Sequence, residues 1–215
     1  MAAIVFDLDG TLIDSAPDIR AALNRVLEDE GVPLLSLTET VRSIGHGVPA
    51  LIAQARALRD LPEARQDAMV AAMVQHYGAA SAVLTRPYPG VAAALEALAA
   101  AGHVLGLCTN KPIAPTRAIL DALDLARHFQ AVIGGDSLPQ RKPDPAPLHA
   151  AYAALAAPVL LYVGDSEVDA ETAQAAGVDF ALFTPGYRKS AVEALVHRLA
   201  FDDFAALPGL VAALR

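Results

Sequence analysis

Close to the start of the chain an unbroken apolar run, Ile4-Val5-Phe6, stops at Asp7, and Leu8-Asp9-Gly10 follows at once. A short run with no polar alternation reads as a strand buried on both faces of a parallel sheet. Its abrupt end in charge places Asp7 and Asp9 at the carboxyl edge of that sheet, where open α/β sheets bind ligands. The two acids stand two positions apart and can face the same side. Carboxylates that close repel one another unless a cation lies between them, and an all-oxygen donor set favours a hard ion such as Mg²⁺. On these two residues alone a solvated acidic strand end, with a turn at Gly10, is an equal reading.

The rest of the chain decides what surrounds that strand. From residue 91 helix and strand alternate: strands are expected over 103–108, 131–133, 159–163 and 180–183, and helices over 91–101, 116–123, 145–156, 170–176 and 191–199. Pro208-Gly209 reads as loop punctuation. Such alternation argues for a parallel sheet with helices on both faces. Between residues 16 and 84 no strand pattern occurs. Pro17 suits a first helical turn, with Ser15 as its cap and Asp18 favoured by the helix dipole. Ile19, Ala22, Leu23, Val26 and Leu27 then recur at helical spacing until Gly31. Further helices are expected from Thr38-Glu39, over 48–58 and over 63–77, giving a small four-helix bundle. The stiff segment Thr85-Arg86-Pro87-Tyr88-Pro89-Gly90 marks the return. The bundle is therefore an insertion after the first strand, with residues 1–14 and 86–215 forming the α/β core and 15–85 the helical cap.

Each later strand also ends in polar residues. The strand ending at Cys108 runs into Thr109-Asn110-Lys111, where a hydroxyl and main-chain amides suit a phosphoryl oxygen; Lys111, beside Pro112, is expected to face solvent. Lys142, in Arg141-Lys142-Pro143-Asp144-Pro145, can neutralise a phosphate as a point charge. Gly164-Asp165-Ser166-Glu167-Val168-Asp169 brings a third carboxylate, Asp165, to the same edge. Asp169 lies one helical turn on and can point inward to hold Lys142 or a metal-bound water, while Glu167 is expected to face water. Taken singly, each motif has an ordinary structural reading.

Taken in order, Asp7-Leu-Asp-Gly-Thr-Leu-Ile-Asp-Ser15, Thr109, Lys142 and Gly164-Asp165 resemble the motif set of the haloacid dehalogenase-like hydrolase superfamily, in its phosphoglycolate phosphatase-like branch. The resemblance covers the whole chain and implies a Rossmann-like α/β core with a helical cap. It implies Asp7 as the nucleophile that becomes an aspartyl phosphate, and Asp9 as the general acid and then the general base. Thr109, Asn110 and Lys142 would bind the phosphoryl group. Mg²⁺ would be held by Asp7, the carbonyl of Asp9 and Asp165, with Asp169 behind them. Asp9 argues against a dehalogenase, whose halide leaves without a proton, and the lysine-free insertion argues against a phosphonate hydrolase. Within the cap, Arg42-Ser-Ile-Gly45-His46-Gly47 resembles a phosphoglycolate phosphatase pattern in which a basic or polar group meets the substrate carboxylate, making Arg42 and His46 substrate-binding candidates. The implied reaction is hydrolysis of a small phosphomonoester, 2-phosphoglycolate first. Another small phosphoester or pyrophosphate, a sugar-phosphate mutase reaction and a non-catalytic phospholigand-binding module stay open.

Composition narrows the partners. A net charge of −8 gives no basic face for nucleic acid. Glu96, Gly102 and His103 interrupt the most apolar stretch, which excludes a membrane span there. A lone cysteine, Cys108, fits a reducing compartment and is expected to be an inert core residue. Together with a chain that enters its first strand without a signal segment, this makes a cytoplasmic monomer or homodimer the expectation.

Overall fold

The computed structural model describes residues 1–80 and 82–214. In chain order it contains β1 (Ala3–Phe6), β2 (Ile13–Asp14), α1 (Ala16–Asp29), α2 (Leu37–Ser43), α3 (Val48–Leu58), α4 (Gln66–Ala79), β3 (Arg86–Pro87), α5 (Val91–Ala100) and β4 (Val104–Cys108). Then come α6 (Ile113–Ala122), β5 (Ala131–Ile133), α7 (Ala146–Leu155), β6 (Val159–Gly164), α8 (Glu167–Ala176), β7 (Phe180–Phe183), β8 (Leu199–Phe201) and α9 (Leu207–Ala212). The main sheet has the order β5-β4-β1-β6-β7-β8, and all its pairings are parallel.

The opening apolar run is the middle of this sheet. Ile4 and Phe6 belong to one hydrophobic cluster and Ala3 and Val5 to the other, so β1 is buried on both faces. Each such fully buried large side chain contributes roughly 1.5–3 kcal/mol relative to exposure. Phe6 is in register with Leu107 of β4 and Val163 of β6. These neighbouring strands therefore reach the carboxyl edge together, and the residues that follow them meet there.

The helical segment leaves and rejoins the core through a short antiparallel pair, Ile13 opposite Pro87 and Asp14 opposite Arg86. Asp18, in the first turn of α1, ties the return: its carboxylate accepts from Leu84 N at 3.0 Å, Thr85 N at 2.8 Å and Thr85 Oγ1 at 2.7 Å. Asp18 is thus a cross-chain clamp as well as a first-turn acid. Ser15 makes no side-chain cap hydrogen bond, contrary to expectation, because its hydroxyl is drawn into the active edge. The second helix starts at a Ser36–Glu39 capping box. In the cap α1 packs on α4 and α3 on α4, and Leu23, Ile52 and Met73 continue the cluster that begins at Ile4 and Phe6.

Two sequence expectations fail near the C-terminus. No helix forms over 191–199; a 3-10 turn at Val192–Ala194 leads into β8. Extended backbone there lets Phe201 pack against Phe183 and Phe204, with ring centroids 5.4 and 5.2 Å apart, and aromatic burial outweighs weak local helix preference. Pro208 and Gly209 lie inside α9, where proline is tolerated in the first turn and burial of Leu207 and Val211 holds the helix. Among the described residues no helix is long and apolar enough to cross a membrane.

Candidate active site

Asp7 leaves β1 with its amide still bonded to Val163 O at 2.8 Å, which fixes its side chain beside the end of β6. One of its carboxylate oxygens, Oδ1, lies 2.9 Å from Lys142 Nζ. That buried oxygen otherwise accepts no aligned hydrogen bond. Burial is the main reason its carboxyl is pushed up to about 7; Lys142 opposes this and Asp169 adds to it.

Lys142 is buried and reaches three groups: Asp169 Oδ1 at 2.7 Å, Tyr162 Oη at 2.8 Å and Asp7. Burial works against its charge, but Asp169 and Asp7 outweigh that and raise its pKa. Asp169 is the hub. Its Oδ2 accepts from Ser166 Oγ at 2.6 Å, Ser166 N at 3.2 Å and Asp165 N at 3.3 Å, and its Oδ1 also accepts from Tyr162 Oη at 2.8 Å. Burial alone would raise its carboxyl; Lys142 and these hydrogen bonds hold it below its ordinary value.

Asp165 accepts from Thr11 Oγ1 at 2.7 Å and from Tyr187 N at 2.5 Å. Burial, with Asp169 and Asp7 close by, raises its carboxyl well above the normal range. Two glycines permit this approach. At Gly10 (φ +86°) and Gly186 a Cβ would collide with the Asp165 side chain.

Asp9 faces the same cavity with a different partner. Its Oδ1 accepts from Ser15 Oγ at 2.5 Å, and both its oxygens lie 3.0 Å from Lys111 Nζ. Lys111 is only 8% exposed, so the expectation that it faces solvent is wrong. Proline at 112 starts α6 and turns Lys111 inward, where burial disfavours its charge but Asp9 raises its pKa. Thr109 is buried at the end of β4 and accepts from Lys111 N at 3.3 Å. The Asn110 carboxamide donates to Gly45 O and Lys142 O and accepts from Lys142 N, each at 3.0 Å. It therefore clamps the Lys142 loop to the cap, so what Asn110 can present to a ligand is main chain.

A cavity of about 450 Å³ lies between these residues and the cap, lined by Asp7, Asp9, Thr109, Lys111, Lys142 and Asp165 below and by Ile44, Val48, Leu51, Met73 and Tyr77 above. Arg42 and His46 do not line it. Both are exposed, and Arg42 lines a separate surface groove with Arg188 and Lys189. The reason is local: α2 buries Thr40 and Ser43, which turns Arg42 outward, and only Gly45 and Gly47 of the glycine-rich turn reach the cavity. Glu167, expected in water, is half-buried and accepts from Lys189 N at 2.8 Å and Ser190 N at 2.6 Å. Arg141 donates to Gly135 O at 2.7 Å. Tyr162, Tyr187 and Lys111 escape a sequence reading. Tyr162 left a signal, a hydroxyl in a buried strand that needs a partner; Tyr187 follows β7 with no motif around it.

The profile of the haloacid dehalogenase-like hydrolases matches residues 4–183. The chain belongs to that family. A phosphoglycolate phosphatase of Cereibacter sphaeroides is 53% identical over 98% of both chains, and one of Rhodobacter capsulatus is 44% identical over 97% of this chain and 96% of its own. The crystal structure of a predicted phosphoglycolate phosphatase from Haemophilus somnus superposes with a TM-score of 0.90 at 33% identity, covering 98% of this chain and 97% of that one. As a haloacid dehalogenase-like hydrolase the chain carries the expected parallel sheet and helical cap, with the acidic residues gathered at one edge.

Proposed function

We propose that this hydrolase is a Mg²⁺-dependent phosphomonoesterase that cleaves 2-phosphoglycolate through an aspartyl phosphate. The observation that carries the reading is the division of labour between two acids on one cavity. Asp7, beside Lys142, has an oxygen with spare lone pairs, while Asp9, two residues on, is held apart from it by Lys111 and Ser15. Its similarity to curated phosphoglycolate phosphatases supports the substrate.

In this mechanism Asp7 attacks phosphorus and the P–O bond to glycolate breaks. Asp9 delivers the proton to the departing oxygen. It then takes a proton from the water that attacks the aspartyl phosphate, and phosphate leaves with Asp7 regenerated. Lys142 and the Thr109 hydroxyl bind phosphoryl oxygens, and Asp169 with Tyr162 fixes Lys142 in place. The residues suit a divalent cation. Asp7, Asp165 and Asp169 each offer an oxygen within 4.8 Å of the others, all buried, and Asp7 Oδ1 is under-satisfied. Asp169 is already committed to five hydrogen bonds, so Asp7, Asp165 and the carbonyl of Asp9 are the ligands assigned here. A bound Mg²⁺ supplies charge neutralisation for the phosphoryl oxygens.

The test is phosphate release from a panel of small phosphoesters, with Mg²⁺ and with EDTA. A clear preference for 2-phosphoglycolate, lost on chelation and in Asp7→Asn, is the expected result. Full activity of Asp7→Asn would refute the mechanism. An isomerised product without free phosphate would indicate a mutase, and binding without turnover a binding module.

A further inference from the structure

The cavity must hold two negative groups if the substrate is a phosphorylated acid, yet the helical cap brings no cation to it. Among the described residues that line it the only cationic side chains are Lys111 and Lys142. Lys142, held by Asp7 and Asp169, is assigned to the phosphoryl group. Lys111 has three N–H donors, and the two oxygens of Asp9 account for two of them. The ammonium also sits over the ring of Tyr77, 4.5 Å from its centroid. Tyr77 comes from α4, lines the cavity and is 8% exposed, and its buried hydroxyl lies beside the Lys111 ammonium without an aligned hydrogen bond. A buried hydroxyl whose one neighbour is poorly aligned leaves bonding capacity that a ligand oxygen would use.

We infer that Lys111 and the Tyr77 hydroxyl form the subsite for the substrate's carboxylate. The inference rests on the phosphoglycolate reading above. Its geometry follows from Asp9. The general acid must touch the ester oxygen, and Lys111 Nζ lies 3.0 Å from that acid's carboxylate. A carboxylate one methylene from the ester oxygen is thus within reach of Lys111. The pair therefore favours an acidic leaving group, with one partner from the core and one from the cap. Arg42 and His46, which face away, have no part in it.

The experiment compares kcat/KM for 2-phosphoglycolate with that for 2-hydroxyethyl phosphate, an ester of the same length without the carboxylate. Wild type is expected to prefer the acid strongly. Lys111→Met should reduce that preference by roughly 10- to 100-fold, about 1.4–2.7 kcal/mol at 1.36 kcal/mol per tenfold. Tyr77→Phe, which keeps the ring and removes the hydroxyl, should reduce it about 5-fold, and Lys111→Arg should retain part of it. If both substrates slow by the same factor in Lys111→Met, Lys111 acts only through Asp9 and the inference is overturned. Should Lys111→Met not fold, Tyr77→Phe carries the test, and an unchanged preference there overturns the Tyr77 half. A wild type that shows no preference for the acid refutes the phosphoglycolate reading itself, whereas a preference that survives both substitutions refutes only this subsite.

Discussion

Replacing Asp169 by Asn changes almost no volume and removes one charge, so it isolates what that carboxylate does. Its five accepted hydrogen bonds divide into three on Oδ2, from Ser166 Oγ, Ser166 N and Asp165 N, and two on Oδ1, from Lys142 and Tyr162. The Asn oxygen will take the Oδ2 side, because the opposite flip would aim an NH₂ group at two backbone N–H donors. That leaves NH₂ facing Lys142 and Tyr162. Tyr162 can adapt, since its hydroxyl also lies 3.2 Å from Cys108 O, to which it can donate. Lys142 cannot, and it loses a buried charge-assisted bond worth roughly 1.5–3 kcal/mol. Relief of repulsion among Asp7, Asp165 and Asp169 returns part of this. The net cost is about 2 kcal/mol, or roughly 4–8 °C in Tm for a chain of this size. Lys142 is then held only by Asp7 and the neutral Tyr162 hydroxyl, so kcat should fall at least about 100-fold. Thermal melts and phosphate release on the same protein read both effects. A Tm within about 1 °C of wild type, or kcat within twofold, would refute the view that Asp169 positions Lys142.

Three further outcomes follow from the same structure. Mg²⁺ at about 100 times its Kd should stabilise wild type by roughly 2.7 kcal/mol, read as a rise in Tm that Asp165→Asn abolishes; an equal rise in the variant would remove Asp165 from the ligand set. Burial raises the Cys108 thiol to about 12, so the reactive thiolate is scarce at pH 8. A thiol reagent should therefore titrate no cysteine in the native protein and one in urea, and fast native reaction would contradict the burial. Asp18→Ala removes the acceptor for Leu84 N and Thr85 N. It should cost about 2 kcal/mol in urea denaturation, with an unchanged midpoint showing that the clamp is dispensable.

What could be read without coordinates depended on short-range rules. An apolar run too short for a helix and too continuous for a half-exposed strand marks β1, and the charge that ends it marks the sheet edge. The order of Asp7, Asp9, Thr109, Lys142 and Asp165 along the chain was equally legible, because each directly follows or approaches an element boundary. The C-terminal segment was not. Local spacing over 191–199 suggests a helix, but packing of Phe201 on Phe183 and Phe204 imposes a strand.

Tertiary structure alone decided which charges meet. Lys111 looks like a surface lysine in its own neighbourhood, and only the turn into α6 and the arrival of Tyr77 from the cap bury it against Asp9. Arg42, basic and flanked by a glycine-rich turn, looks like a substrate ligand until the packing of α2 turns it to solvent. A strand end restricts where its next residue lies to a few ångströms, and periodicity along the chain is enough to find it. The pairing of side chains from two separately packed units depends on distances between elements far apart in sequence, and no local pattern encodes those.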